Sequence, residues 1–123
     1  MLFSGITLSL LLLFFAIFQF LLVLGLPYGE ASWGGQQGKI LPRKYRIASA
    51  LSVPFFVFSM LIVLSGSGVI ELFKVSFVDG YMWFLTIYLG LGIIMNAISR
   101  SKVERLWTPV ITIMFILSLM IVM

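Results

Sequence analysis

No charged residue occurs between Met1 and Gly29, and Gly5 to Leu26 is almost wholly Leu, Phe, Ile and Val. A stretch of about 20 apolar residues rises 1.5 Å per residue as a helix and matches the hydrocarbon thickness of a bilayer. Three further apolar runs follow, over 47–68, 81–99 and 107–123, separated by short polar segments. The whole chain is 62% apolar and 10% charged, against roughly 45–50% and about 25% in soluble domains. A chain this small buries only about 60–70% of its unfolded surface. A soluble globule would leave too much apolar area in water, and a disordered chain would be far more polar. The expected fold is all-α: a polytopic four-transmembrane-helix bundle, with 1–123 as a single membrane domain.

The first run reads as an uncleaved span. Met-Leu-Phe-Ser lacks the basic start of a signal peptide, and Leu26-Pro27-Tyr28 is no small-residue cleavage box. Pro27 and Gly29 punctuate its end. Pro54 lies inside the second run, where it removes a backbone hydrogen bond and predicts a kink. Ser65-Gly66-Ser67-Gly68 predicts a flexible end to that span. Residues 69–80 read as a second loop, with Leu72, Phe73 and Phe77 as an apolar side for the membrane interface. Arg100 to Arg105 reads as a third, short loop. Thr108-Pro109 has the form of an N-cap followed by proline at the first helical position. The fourth span is then short, so that it would start at Leu106 or sit in a locally thinned bilayer.

Charge sets the expected orientation. Lys39, Arg43, Lys44, Arg46, Arg100, Lys102 and Arg105 are seven of the eight basic residues, and all fall in the first and third loops. The positive-inside rule places loops 28–46 and 100–106 in the cytoplasm of a cell bounded by an inner (plasma) membrane, and both termini outside. Tyr28, Trp33, Tyr45 and Trp107 are the expected aromatic anchors at that interface, with Tyr81 and Trp83 at the other. The halves share an outline of span, basic loop, proline and span, although GKILPRKYR and VERLWTPV align only loosely.

The chemistry available is narrow. With no Cys and no His, thiol chemistry, iron–sulfur ligation and the commonest general base are excluded. Four carboxylates remain: Glu30, Glu71, Asp79 and Glu104. No catalytic constellation, cofactor motif or metal-ligand set is present. The candidate polar cluster lies on the cytoplasmic face: Glu30, Trp33, Gln36, Gln37, Asn96, Arg100, Glu104 and Arg105. Asn96, Arg100 and Glu104 are spaced by four, so they would share one face if the third helix continued beyond the membrane. Arginine there suits a phosphate or carboxylate. The plainer reading is a topology signal with lipid-phosphate anchoring and an ordinary surface pair between Arg100 and Glu104. Trp33-Gly34-Gly35-Gln36-Gln37-Gly38 lacks the spacing of a phosphate-binding loop and reads as an interfacial turn. Gln19 and Asn96 are expected to hydrogen-bond between helices. Gly90 and Gly92, and Ala48 with Ser52, offer close helix approach. The basic cluster is short and juxtamembrane, so nucleic acid is not an expected partner.

The stretches ASWGGQQGKILPRKYRIASALSV and NAISRSKVERLWTPV resemble those of a family of small, uncharacterised four-span bacterial integral membrane proteins. Trp33, Gly34, Gly35, Gln36, Pro42, Arg46, Asn96, Ala97, Ser99, Arg100, Glu104, Arg105, Trp107 and Pro109 carry the resemblance, in stretches covering about a third of the chain. It implies fold and membrane location, and no activity. A second resemblance, through WGG and LP, is to another small four-span family that carries a His before its WGG-like motif, which this chain lacks. Small multidrug-resistance exporters share the size and span number but need a carboxylate in the first span, where this chain has Gln19.

The expected function is that of a non-enzymatic accessory or scaffold subunit that contacts membrane lipids, including anionic head groups, and packs against itself or a larger membrane protein. The alternatives are a homo-oligomeric small-solute transporter or channel, and an enzyme acting on lipid head groups. No charge falls at mid-span, where ion relays carry one.

Overall fold

The computed structural model describes residues 2–29, 40–71, 73–99 and 101–123. They form α1 (Leu2–Val23), α2 (Arg43–Gly66), α3 (Val75–Ala97), the single turn α4 (Lys102–Arg105) and α5 (Trp107–Val122), with no strand among them. The first three helices are 22, 24 and 23 residues long, and α4 and α5 together make a fourth segment of 21. At 1.5 Å per residue each reaches about 30–36 Å, and all four are long and apolar enough to cross a membrane. The expected all-α four-helix bundle is the observed fold. The fourth segment is not short, because α4 extends it.

Two helix ends follow from a glycine each. Gly25 has φ +88° and Gly68 has φ +84°, a left-handed conformation open to glycine at little steric cost. Behind Gly25, the Leu26 N–H donates to the Leu21 carbonyl (3.2 Å) and the Gly25 N–H to that of Leu22 (3.1 Å). Behind Gly68, Val69 donates to Leu64 (3.0 Å) and Gly68 to Ser65 (3.2 Å). Both are Schellman caps, which satisfy the last carbonyls of a helix. Gly25 therefore ends α1 ahead of Pro27, and Ser65–Gly68 is a defined cap rather than a loose end.

The second loop is shorter than its sequence suggests. Lys74 is extended, the Val78 N–H already donates to the Lys74 carbonyl (3.0 Å), and α3 runs on through Asp79 and Gly80. Asp-Gly is a turn signal in isolation, but burial of Val78 and Met82 favours helix there. Phe73 and Phe77 pack on Phe58; Leu72 lies outside the described residues. Tyr81 sits well over a turn inside α3, hydrogen-bonded to Ser59.

The third loop is a capped helical turn. The Glu104 N–H donates to Ser101 Oγ (3.2 Å), and Leu106 keeps helical angles into α5. Thr108 is thus inside the first turn of α5 instead of capping it. Pro109 explains the break between α4 and α5, since its ring would meet the Arg105 carbonyl of a continuous helix. α2, by contrast, continues through Pro54, which is exposed.

The helices alternate in direction, and their backbones come closest within two hairpins, α1 with α2 and α3 with α5. Small residues permit this. Gly5 lies directly against Ser67. A Cβ on Gly90 would stand 3.3 Å from Phe115 Cε2, and one on Gly92 would stand 3.5 Å from Ile111 Cγ2. The close approach expected of Gly90 and Gly92 is therefore internal to the bundle. Ser52, in contrast, donates to Ala48 of its own helix (3.0 Å). The core is one continuous cluster drawn from all four long helices, including Leu8, Leu12, Phe56, Ile62, Met82, Leu85 and Met114.

Candidate functional site at the arginine-bearing end

The C-termini of α1 and α3 and the N-termini of α2 and α4 meet at one end of the bundle. A helix C-terminus presents unpaired carbonyls and a partial negative charge. Each hairpin meets that need with an arginine from its second helical segment. Arg46, in the first turn of α2, donates from Nε (3.1 Å) and Nη2 (2.8 Å) to the carbonyl of Val23, the last residue of α1. Arg105, at the end of α4, donates from Nη1 to the Ser99 carbonyl just beyond α3 (3.0 Å). Gly25 lies against this clamp, and a Cβ there would touch Arg46 Nη2 at 3.4 Å, an ordinary contact.

The other members of the expected cluster divide in three ways. Asn96 donates from Nδ2 to the Gly92 carbonyl of its own helix (2.8 Å), so its amide is not an interhelical tie. Glu104 is buried, with 8% of its surface exposed, rather than lying on a solvated face. α3 ends at Ala97 and a new helix starts at Lys102, so Asn96 and Glu104 are not on one continuous helix. Glu30, Trp33, Gln36, Gln37 and Arg100 lie outside the described residues. So do the glycine-rich segment and any approach of Glu30 to Arg100 or Arg105.

Trp107, half-buried at the start of α5, is turned toward α1. Its ring packs on Phe14, Phe15 and Phe18 of α1, with centroids 5.8, 5.2 and 5.3 Å away. Below it, Gln19 Oε1 and Thr108 Oγ1 are buried without a hydrogen-bond partner. Gln19 follows Leu12 and Ala16 on the inward stripe of α1, so its amide faces the bundle instead of bridging to Asn96. Farther in, polar atoms pair across helices. Ser59 Oγ and Tyr81 Oη are 2.7 Å apart between α2 and α3, and Thr86 Oγ1 pairs with Ser118 Oγ between α3 and α5.

A shallow cleft of about 210 Å³ opens beside the first clamp, lined by Val23, Arg43, Arg46, Ile47 and Ala50. Lys44 is turned to its neighbour, with Nζ 5.6 Å from the centre of the Tyr45 ring. No group of three or more acidic side chains that could hold a metal ion occurs among the described residues. The cleft's residues were legible only as topology charges. Arg46 binds a backbone carbonyl, which has no signature in sequence. The Ser101-x-x-Glu104 cap, however, matches the capping-box pattern and was available to be read.

No family model, curated protein or solved structure matches this chain.

Proposed function

We propose that the chain is a non-enzymatic four-span protein of the bacterial inner membrane, acting as an accessory or scaffold subunit that packs against itself or a larger membrane protein. The observation that carries this reading is the use made of polar side chains within and at the ends of the helices. Thr86 with Ser118, Ser59 with Tyr81 and Arg46 with Val23 hold helices to one another, and Arg105 holds the connection just beyond α3 through Ser99. Among the described residues, these side chains are employed in building the bundle. Its outward surface is broad and apolar, as on Leu10, Leu51, Ile87 and Leu91, which suits lipid and helix contacts.

A homo-oligomeric solute pathway is the second reading. It draws on the unpartnered polar atoms of Ser9, Gln19 and Thr108, since polar groups inside a span often line a route. Extraction into native lipid nanodiscs followed by mass spectrometry separates the two. A larger membrane protein in fixed stoichiometry supports the accessory reading, and homo-oligomers alone favour the pathway.

The orientation proposed with this function puts the arginine-bearing end in the cytoplasm, supported by the seven-to-one distribution of basic residues. Reporter fusions after Met123 should be active only outside the cytoplasm, and insertions near Lys39 or Lys102 only inside. A cytoplasmic C-terminus overturns the arrangement.

A further inference from the structure

We propose that the cleft between the end of α1 and the start of α2 binds the phosphodiester head group of an anionic membrane phospholipid, held by Arg43 and Arg46. Three features meet there. The first is a preset cation. Arg46 gives its Nε and one Nη2 hydrogen to the Val23 carbonyl, which fixes the guanidinium plane. The outer edge of the fork, with Nη1 and the second Nη2 hydrogen, is the edge that grips a phosphate with two hydrogen bonds. The second is a neighbouring charge, because Arg43 lines the same cleft three residues earlier on α2 and is exposed.

The third feature selects a lipid over a soluble phosphate. The remaining walls are Val23, Ile47 and Ala50, all apolar. From the cleft an exposed apolar stripe continues along α2 through Ile47, Ala50, Leu51 and Pro54. Arg46 to Pro54 is eight residues, about 12 Å of helix, so an acyl chain can lie along it while its phosphate stays at the arginines. A basic pocket at a span end, floored by apolar side chains, has the chemistry that anionic head groups require. A free anion would gain the charges but nothing from the stripe.

The test uses the full chain purified in an uncharged detergent and titrated with dioleoyl phosphatidylglycerol or dioleoyl phosphatidylcholine, with bound lipid counted by native mass spectrometry. The expected result is a one-to-one complex with phosphatidylglycerol at concentrations where phosphatidylcholine gives none. Arg43→Gln, at an exposed position that leaves the clamp intact, should weaken that complex about fivefold. Lys102→Gln, an exposed charge at the same end of the bundle, should leave it unchanged. A tenfold excess of inorganic phosphate should not displace the lipid. Equal binding of the two lipids, an unaltered Arg43→Gln variant, equal weakening by Lys102→Gln, or displacement by inorganic phosphate each overturns the proposal.

Discussion

Individual glycines carry opposite burdens in this molecule. Gly5 is buried against Ser67, so a single added methyl group has nowhere to go unless α1 and α2 separate. Gly80 is exposed in α3, and a Cβ there meets nothing within 4 Å. Overpacking in a filled interface costs about 1–3 kcal/mol, whereas glycine in a helix costs about 1 kcal/mol relative to alanine. Gly5→Ala should therefore destabilise the bundle by about 1–3 kcal/mol, and Gly80→Ala should stabilise it by about 0.5–1 kcal/mol. Reversible unfolding of both variants in the same detergent checks the pair. Equal stabilities would show that the α1–α2 contact yields without strain.

Between elements, the seams differ in kind, and so did their legibility. The number and order of the spans follow from four apolar runs, since little else can absorb so many uncharged residues. Their ends moved where a local signal met a tertiary one. Asp79-Gly80 reads as a turn, yet Val78 and Met82 on either side are buried and draw the helix through it. Gly25 reads as one more residue of the first span, and its left-handed φ ends α1. At the candidate site, Arg105 was recognised as functional in type, but its bond to Ser99 depends on where the chain turns. Polar pairs between spans were not legible either, because any serine or threonine in an apolar helix can bond back to its own backbone. Thr86 does so, donating to the Met82 carbonyl (2.7 Å), and also pairs with Ser118. A double-mutant cycle over Thr86→Val and Ser118→Ala isolates the interhelical part. A coupling of about 1 kcal/mol is expected, within the range of hydrogen bonds between membrane helices. Strict additivity would leave the α3–α5 seam to the glycine contacts alone.

At the scale of the whole molecule, the chain is two helical hairpins glued by aromatics. Within each hairpin the approach is close, through Gly5 and Ser67 in one and through Gly90 and Gly92 in the other, and each is tied at the same end by an arginine on a terminal carbonyl. Between hairpins large rings fill a wider gap. Phe55 stacks edge-on to Tyr88 at 5.1 Å and Phe58 to Tyr81 at 5.4 Å, while Trp107 fills the seam from α5 to α1. The repeated outline of span, basic loop and span in the sequence corresponds to these units. Helices that form first in a membrane and associate afterwards can do so without a covalent link if the contact surface suffices. The connection from α2 to α3, after the Gly68 cap and before Lys74, is the natural place to cut. Fragments 1–71 and 72–123, expressed together, should co-purify as a one-to-one complex. Trp107→Ala should strongly weaken that complex, because a half-buried ring packed on three phenylalanines contributes about 3 kcal/mol, the low end for a large aromatic, while the intact chain carrying the same substitution should remain folded, its halves held at high effective concentration. Failure of the wild-type fragments to associate, with the intact chain stable under the same conditions, would mean that the hairpins are not the units of assembly and that the four helices form only together.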